Sequence, residues 1–315
     1  MLNKSGYQSD DFFIYGLAGI ADIAYNPMNR QISAMQNLSN SKFVYSNDMT
    51  RGNYYFSVLE GGHHDYSYIR RYLYNAMPKL FKKYSNKIEP AIDLNGGYDY
   101  LVEELHTKNG NDDIYDVLYR PVEASGERST IIYSHGFGGT YNNGSQYVQA
   151  FAKQGYLVYC FDFIGGSNAS KSDGSTLEMS IFTEQSDLEC VIEKIRSLNE
   201  SDDDNIFLLG ASQGGAVSAI TASECVDDIA SMVLLYPAFV LADDARERFQ
   251  NVDEIPDTYY HMWLTVGRVY FESVMEYDFY EHIGKYNKEV LLIHGSEDSI
   301  VPISYSERAK DTYSC

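Results

Sequence analysis

The run "IFLLGASQGGAV", Ile206 to Val217, constrains this chain more than any other stretch. Four apolar residues read as a buried strand and "QGGAVSAITASEC" carries helical periodicity, so strand must turn into helix within Gly210-Ala211-Ser212-Gln213-Gly214. A turn that tight needs small residues around its apex, and the apex is a serine. Its hydroxyl would stand clear at the end of a sheet, where a nucleophile is useful. Gly-x-Ser-x-Gly strings also arise by chance, so the surroundings decide their meaning.

From about Tyr98 onward, strand-like apolar runs alternate with helix-like segments, the pattern of a mostly parallel sheet flanked by helices. The fold class is α/β. "YDYLVEELHT" and "IYDVLYRP" flank the turn "KNGNDD" as an opening hairpin. "TIIYSHG", "YLVYCFDF", "NIFLLGAS", "SMVLLYPA" and "EVLLIHGS" follow as buried strands, separated by the helical stretches "SQYVQAFAKQG", "DLECVIEKIRSL" and "QGGAVSAITASEC". Residues from about Phe239 to Asn287 break the rhythm with Trp263 and several Phe, Tyr and Met, and are too long for a plain crossover. They read as a cap inserted over the carboxyl edge of the sheet.

The first 86 residues read as strand, helix, strand, helix ("DFFIYGLAGIADIAY", "NRQISAMQNL", "NYYFSVLEGG", "DYSYIRRYLYNAMPKLF"), and two strands make no sheet core of their own. The polar, Pro90-containing stretch up to Gly97 reads as a linker, placed at 87–97, ahead of a main domain over 98–315. "AGIADIAYNP" echoes "HGSEDSIVPI": each sets Gly-x-x-Asp at a strand end, Gly19 with Asp22 and Gly295 with Asp298.

Composition narrows the partners. A formal charge of -21 repels phosphate backbones and anionic lipid surfaces, so neither nucleic acid nor membrane is expected. Cys160, Cys190, Cys225 and Cys315 show no CxxC pairing, and neither a disulfide nor a metal site is expected. The N-terminal "MLNKSGYQSDDFFIYG" lacks the basic-then-apolar layout of a secretory signal, which leaves the cytoplasm as the default expectation.

Acyl transfer by serine needs a base, a carboxylate to orient it, and paired N–H groups for the tetrahedral oxyanion. It calls for no cofactor. Ser212 is the candidate nucleophile, the "HGFGG" loop (His135 to Gly139) the candidate oxyanion loop with the N–H groups of Phe137 and Gln213 as donors, and Asp298 the candidate acid. As a bland alternative, Asp298 would cap a helix before "PISYSERA".

With "HGFGG", "YCFDFIGGSNASKSDG", "MSIFTEQSDLECVI", "GASQGG", "LLIHGSEDSIVP" and the aromatic insertion in view, residues 98–315 resemble the α/β-hydrolase superfamily, nearest to the cinnamoyl (feruloyl) esterases. The resemblance implies a hydrolysed ester of a plant hydroxycinnamate or small acyl group on polysaccharide, with a cap that helps hold the aromatic acyl group. Trp263 is the cap residue expected to touch it, or else part of the cap's own core. In that family the base follows the acid, yet only 17 residues follow Asp298 and none is His. The first 86 residues resemble the C-terminal end of an esterase D-like esterase, "AGIADIAY" matching its acid loop and "GGHHDYSYIRRYLYNAMPKLF" its histidine loop. That likeness implies Asp22 as acid and His64 as base, 42 residues apart, with His63 able to exchange roles.

The chain thus reads as part of a two-esterase polypeptide: a partial module with acid and base, then a module with serine, oxyanion loop and acid. If "NYYFSVLEGG" added in parallel beside "EVLLIHGS", His64 would be brought to Ser212, since a triad is set by geometry rather than chain order. A serine peptidase or general lipase on the same fold, and a non-catalytic module that binds esters or carbohydrate, remain the alternatives.

Overall fold

The computed structural model describes residues 14–20, 25–37, 42–46, 53–59, 97–122 and 126–313. The chain divides into two units, Met1–Pro90 and Ala91–Cys315.

In the smaller unit, β1 (Ile14–Gly19) and β2 (Tyr54–Leu59) pair in parallel from Ile14 opposite Tyr54, with helix α1 (Tyr25–Gln36) between them in sequence. A small cluster of Ala18, Ile32, Tyr54 and Phe56 is buried there. Among the described residues this sheet holds β1 and β2, paired along all six residues of each.

The larger unit holds β3 (Tyr100–Asn109), β4 (Asp112–Pro121), β5 (Arg128–Ser134), β6 (Leu157–Phe161), β7 (Ser201–Ala211), β8 (Ser231–Leu235) and β11 (Val290–Ile293) in one sheet, ordered β11-β8-β7-β5-β6-β4-β3. β3 and β4 form the expected hairpin, whose two-residue loop puts Gly110 at φ 61, as primed hairpin turns require. From β6 to β11 every pairing is parallel. β6 and β8 are buried at every residue, which is why they read as unbroken apolar runs.

Helices α2 (Ser145–Lys153), α3 (Ile181–Arg196), α4 (Gln213–Glu224) and α8 (Ser304–Thr312) are the main flanking helices. α3 starts earlier than the apolar pattern from Asp187 suggests, because Ser180 caps it: its hydroxyl accepts from the Thr183 N–H at 3.2 Å, and Thr183 Oγ1 accepts from the Ser180 N–H at 2.9 Å. The extra turn carries Glu184 into the core.

The segment between β8 and β11 is the expected insertion. It contains α5 (Leu241–Arg248), an antiparallel ribbon of β9 (Thr258–His261) and β10 (Leu264–Gly267), and the short helices α6 (Val269–Glu272) and α7 (Phe279–Ile283). Met262 and Trp263 form the turn of the ribbon, with Met262 at φ 51. No helix among the described residues is long and apolar enough to cross a membrane.

Candidate active site

Ser212 sits between β7 and α4 at φ 53, ψ -120, a conformation that costs a non-glycine residue on the order of 1–3 kcal/mol. Neighbouring strands hold it there. Its N–H donates to Leu235 O at 2.9 Å, while its carbonyl accepts from the N–H groups of Gly215, Ala216 and Ala238. A Cβ on Gly214 would fall against the carbonyl oxygens of Ser134 and His135, and one on Gly210 against Gly214 O, all far inside the 3.0 Å that real Cβ atoms keep. Gly214 is therefore demanded by the end of the adjacent strand, and Gly210 by the first turns of α4. In the five-residue elbow, Ser212 alone has a side chain that could reach solvent from an apex, and it is half-buried while Ala211, Gln213 and Gly214 are buried.

The "HGFGG" loop lies beside this serine. A Cβ on Gly136 would lie 3.0 Å from Ser212 Cβ and 3.6 Å from its Oγ, so the loop passes close against the serine and a side chain there would crowd it. Gly139 N–H donates to Gly136 O at 2.9 Å, closing a turn in which Gly138 takes φ 65. His135 braces the turn from below: Nδ1 lies 2.9 Å from Gly136 O, and Nε2 accepts from the Phe163 N–H at 3.3 Å. Burial pushes its pKa down, which keeps the ring neutral and able to donate through one nitrogen and accept through the other. His135 is thus a scaffold for this Gly-rich loop.

The cap closes over that loop with aromatic rings. Phe137 meets His261, Trp263 and Tyr270 at centroid distances of 5.2, 5.6 and 5.5 Å. Trp263 is 52% exposed, so it stands at the mouth and is not the core of the cap. His261 is buried among Phe137, Tyr270 and Phe271, and burial lowers its pKa to about 4. Beneath, the Gln213 side chain is fixed at both ends: Tyr270 Oη donates to its Oε1 at 2.7 Å, and its Nε2 donates to both Glu184 oxygens at 2.9 Å. Burial, eased by Gln213 and reinforced by Asp187, raises the Glu184 pKa to about 8. Neither Glu184 nor Tyr270 stood out in the sequence, since each looks like one more residue of a helix.

Asp298 lies in the loop after β11, with one oxygen anchored: Oδ1 accepts from Ile300 N–H at 2.9 Å and Val301 N–H at 3.0 Å. These bonds close the loop ahead of α8, which begins at Ser304, so Asp298 does not cap that helix. Its Oδ2 is left for another partner. His294 Nε2 approaches it at 3.7 Å but is committed at 2.7 Å to Val301 O, with Nδ1 2.7 Å from Ser306 Oγ. Since β7, β8 and β11 are successive parallel neighbours, Ser212 and Asp298 leave the same sheet edge two strands apart, on the order of 10 Å. No histidine among the described residues is hydrogen-bonded to Ser212 Oγ; Asp22, His63 and His64 lie outside those residues.

A serine at a strained strand-to-helix apex, on a mostly parallel sheet with a Gly-rich loop at the neighbouring strand end, defines the α/β-hydrolase fold, and this chain has it. A family model described as "Serine aminopeptidase, S33" matches residues 125–278. An endo-1,4-β-xylanase Y of Acetivibrio thermocellus is 40% identical over 80 residues, 25% of this chain and 7% of that protein. A Mycoplasma genitalium protein carrying the name esterase/lipase 2 is 28% identical over 110 residues, 35% of this chain and 38% of its own length. The matched part is therefore well under two-thirds of either relative. Among solved structures, Est1E from Butyrivibrio proteoclasticus with bound ferulic acid superposes with a TM-score of 0.60 at 22% identity, covering 66% of this chain and 85% of that one.

Proposed function

We propose that the protein is a serine carboxyl-ester hydrolase acting on hydroxycinnamoyl or small acyl esters of plant polysaccharides. The observation that carries this reading is the strained Ser212 with Gly136 of a turn-forming loop at its hydroxyl. In the reaction Ser212 Oγ adds to the ester carbonyl carbon while the base takes its proton, and the N–H groups of Phe137 and Gln213 receive the oxyanion. Collapse expels the sugar alcohol, which takes the proton back from the base. Water, activated by the same base, then hydrolyses the acyl-enzyme and restores the serine. Asp298 orients the base through Oδ2, its Oδ1 being held by the loop. The base is left unassigned, since no histidine among the described residues is hydrogen-bonded to Ser212 Oγ. The aromatic surface of Trp263 and Phe137 at the mouth supports an aryl acyl group, as does the likeness to a structure that holds ferulic acid.

The test is hydrolysis of ferulate esters and of p-nitrophenyl acetate, together with labelling by a fluorophosphonate. Wild type should hydrolyse and label, and Ser212→Ala should lose at least about 10³-fold in both. Unlabelled wild type would leave a module that only binds esters. The match to the serine aminopeptidase model favours a second reading, peptide-bond hydrolysis. Faster release of aminoacyl p-nitroanilides than of aryl esters would select it.

A further inference from the structure

One cap residue touches the neighbourhood of both oxyanion donors. The Tyr270 ring packs on Phe137 at 5.5 Å, while its hydroxyl donates to the Gln213 side chain at 2.7 Å. Gln213 is the residue immediately after the nucleophile, 1% exposed, and its amide is gripped from the far side by Glu184 of α3. The chain Tyr270–Gln213–Glu184 therefore runs from the cap, beneath the elbow, to a flanking helix without reaching water. Such a fully enclosed polar chain is costly unless every member is satisfied, and satisfied it is rigid. A primary amide fixed at oxygen and nitrogen has no rotational freedom left, so the backbone that bears it cannot rotate its own N–H freely.

We propose that Tyr270 is a positioning residue for the oxyanion hole, setting the Gln213 N–H through the Tyr270–Gln213–Glu184 chain and the Phe137 N–H through ring packing, so that seating of the cap and assembly of the hole are one event. The inference rests on the serine-esterase reading for its catalytic consequence, though not for its structural one. Glu184 fits the part. Both its oxygens accept from Gln213 Nε2, and burial, which raises its pKa to about 8, favours the neutral carboxyl and so limits buried charge next to the developing oxyanion. Asp187 is the charged neighbour on α3, and Asp244 and Arg248 of α5 act on the Tyr270 end. A substrate that lifted the cap would loosen Tyr270 from both donors at once. One that filled the space beneath it would press the ring onto Phe137.

Tyr270→Phe removes the hydroxyl and keeps the ring. In the full chain the variant should show a kcat on p-nitrophenyl acetate lower by about tenfold with KM within twofold of wild type, since a misplaced oxyanion donor acts on the transition state. Amide exchange at the Gln213 N–H, followed by NMR, should speed up by about tenfold, with no such change at Leu188 in the middle of α3. Glu184→Leu should give the same two signatures, and Glu184→Gln, which can still bond an amide, should recover most of the loss. Unchanged Gln213 exchange in Tyr270→Phe, or a loss confined to KM, would overturn the proposal. If wild type hydrolysed no ester at all, the esterase reading would fall, while the exchange measurement would still decide the positioning role.

Discussion

Ser212 and Asp298 are held at the carboxyl edge of the sheet by different means. At Ser212, β7 and α4 are buried along nearly their whole apolar length, and the strained backbone is locked by carbonyls that would strike any Cβ on Gly210 or Gly214. At Asp298, β11 is four residues long, half-buried throughout, and last in the sheet, and the carboxylate is held by two N–H groups of its own loop. One end is fixed by exclusion, the other by attraction. Exclusion tolerates no substitution, whereas a pair of hydrogen bonds accepts any side chain with the right oxygen.

Asp298→Asn exploits that difference. The amide oxygen can keep both N–H bonds, so the melting temperature should move little, yet the loss of charge toward the base should reduce kcat/KM by about 10²–10⁴-fold. A large fall in stability instead would mean that the acid end, too, is fixed by its charge. Gly214→Ala should behave in the opposite way: a methyl group against two backbone carbonyls costs about 3 kcal/mol or more, read as a lowered urea midpoint with activity lost in proportion to folding. A well-folded Gly214→Ala protein would show that the elbow can yield.

A smaller effect belongs to Glu184. Its pKa in the folded chain, about 8, is above the usual carboxylate value of 4.5, so the folded state holds its proton more tightly than the unfolded one. The stability it permits is whole below pH 4.5, falls as pH rises toward 8, and is gone above. Wild type should therefore melt progressively lower from pH 5 to pH 8.5, by about 2–4 °C for each kcal/mol involved, and Glu184→Gln should flatten that slope. Asp187, raised to about 6 mainly by burial, adds a second and earlier portion of the same trend. The smallest change is at the mouth, where Trp263→Ala should slow aryl esters about fivefold more than acetyl esters, one aromatic contact being worth about 1 kcal/mol. Equal losses on both would assign Trp263 to the shape of the cap alone.

The elbow, the Gly-rich loop and the strands of the main sheet were legible because each rests on glycine or on unbroken apolar runs, whose physical causes are local. Glu184 and Tyr270 were not, because a buried polar chain joins residues 184, 213 and 270, and no local pattern records that they meet. The bracing role of His135 was not legible for the same reason: its partner Phe163 is 28 residues away.

Gly138 leaves room for the edge of Trp263: a Cβ there would strike the indole Nε1. Since Trp263 is the only tryptophan in the sequence, all indole emission of this protein originates at the cap turn, over the oxyanion loop. Excited at the red edge of its band, it is a single optical reporter of that spot. On the proposed esterase reading, a ferulate ester docked there would absorb where indole emits, so its arrival could be timed by energy transfer without a label, and the emission maximum records how much water the cap admits.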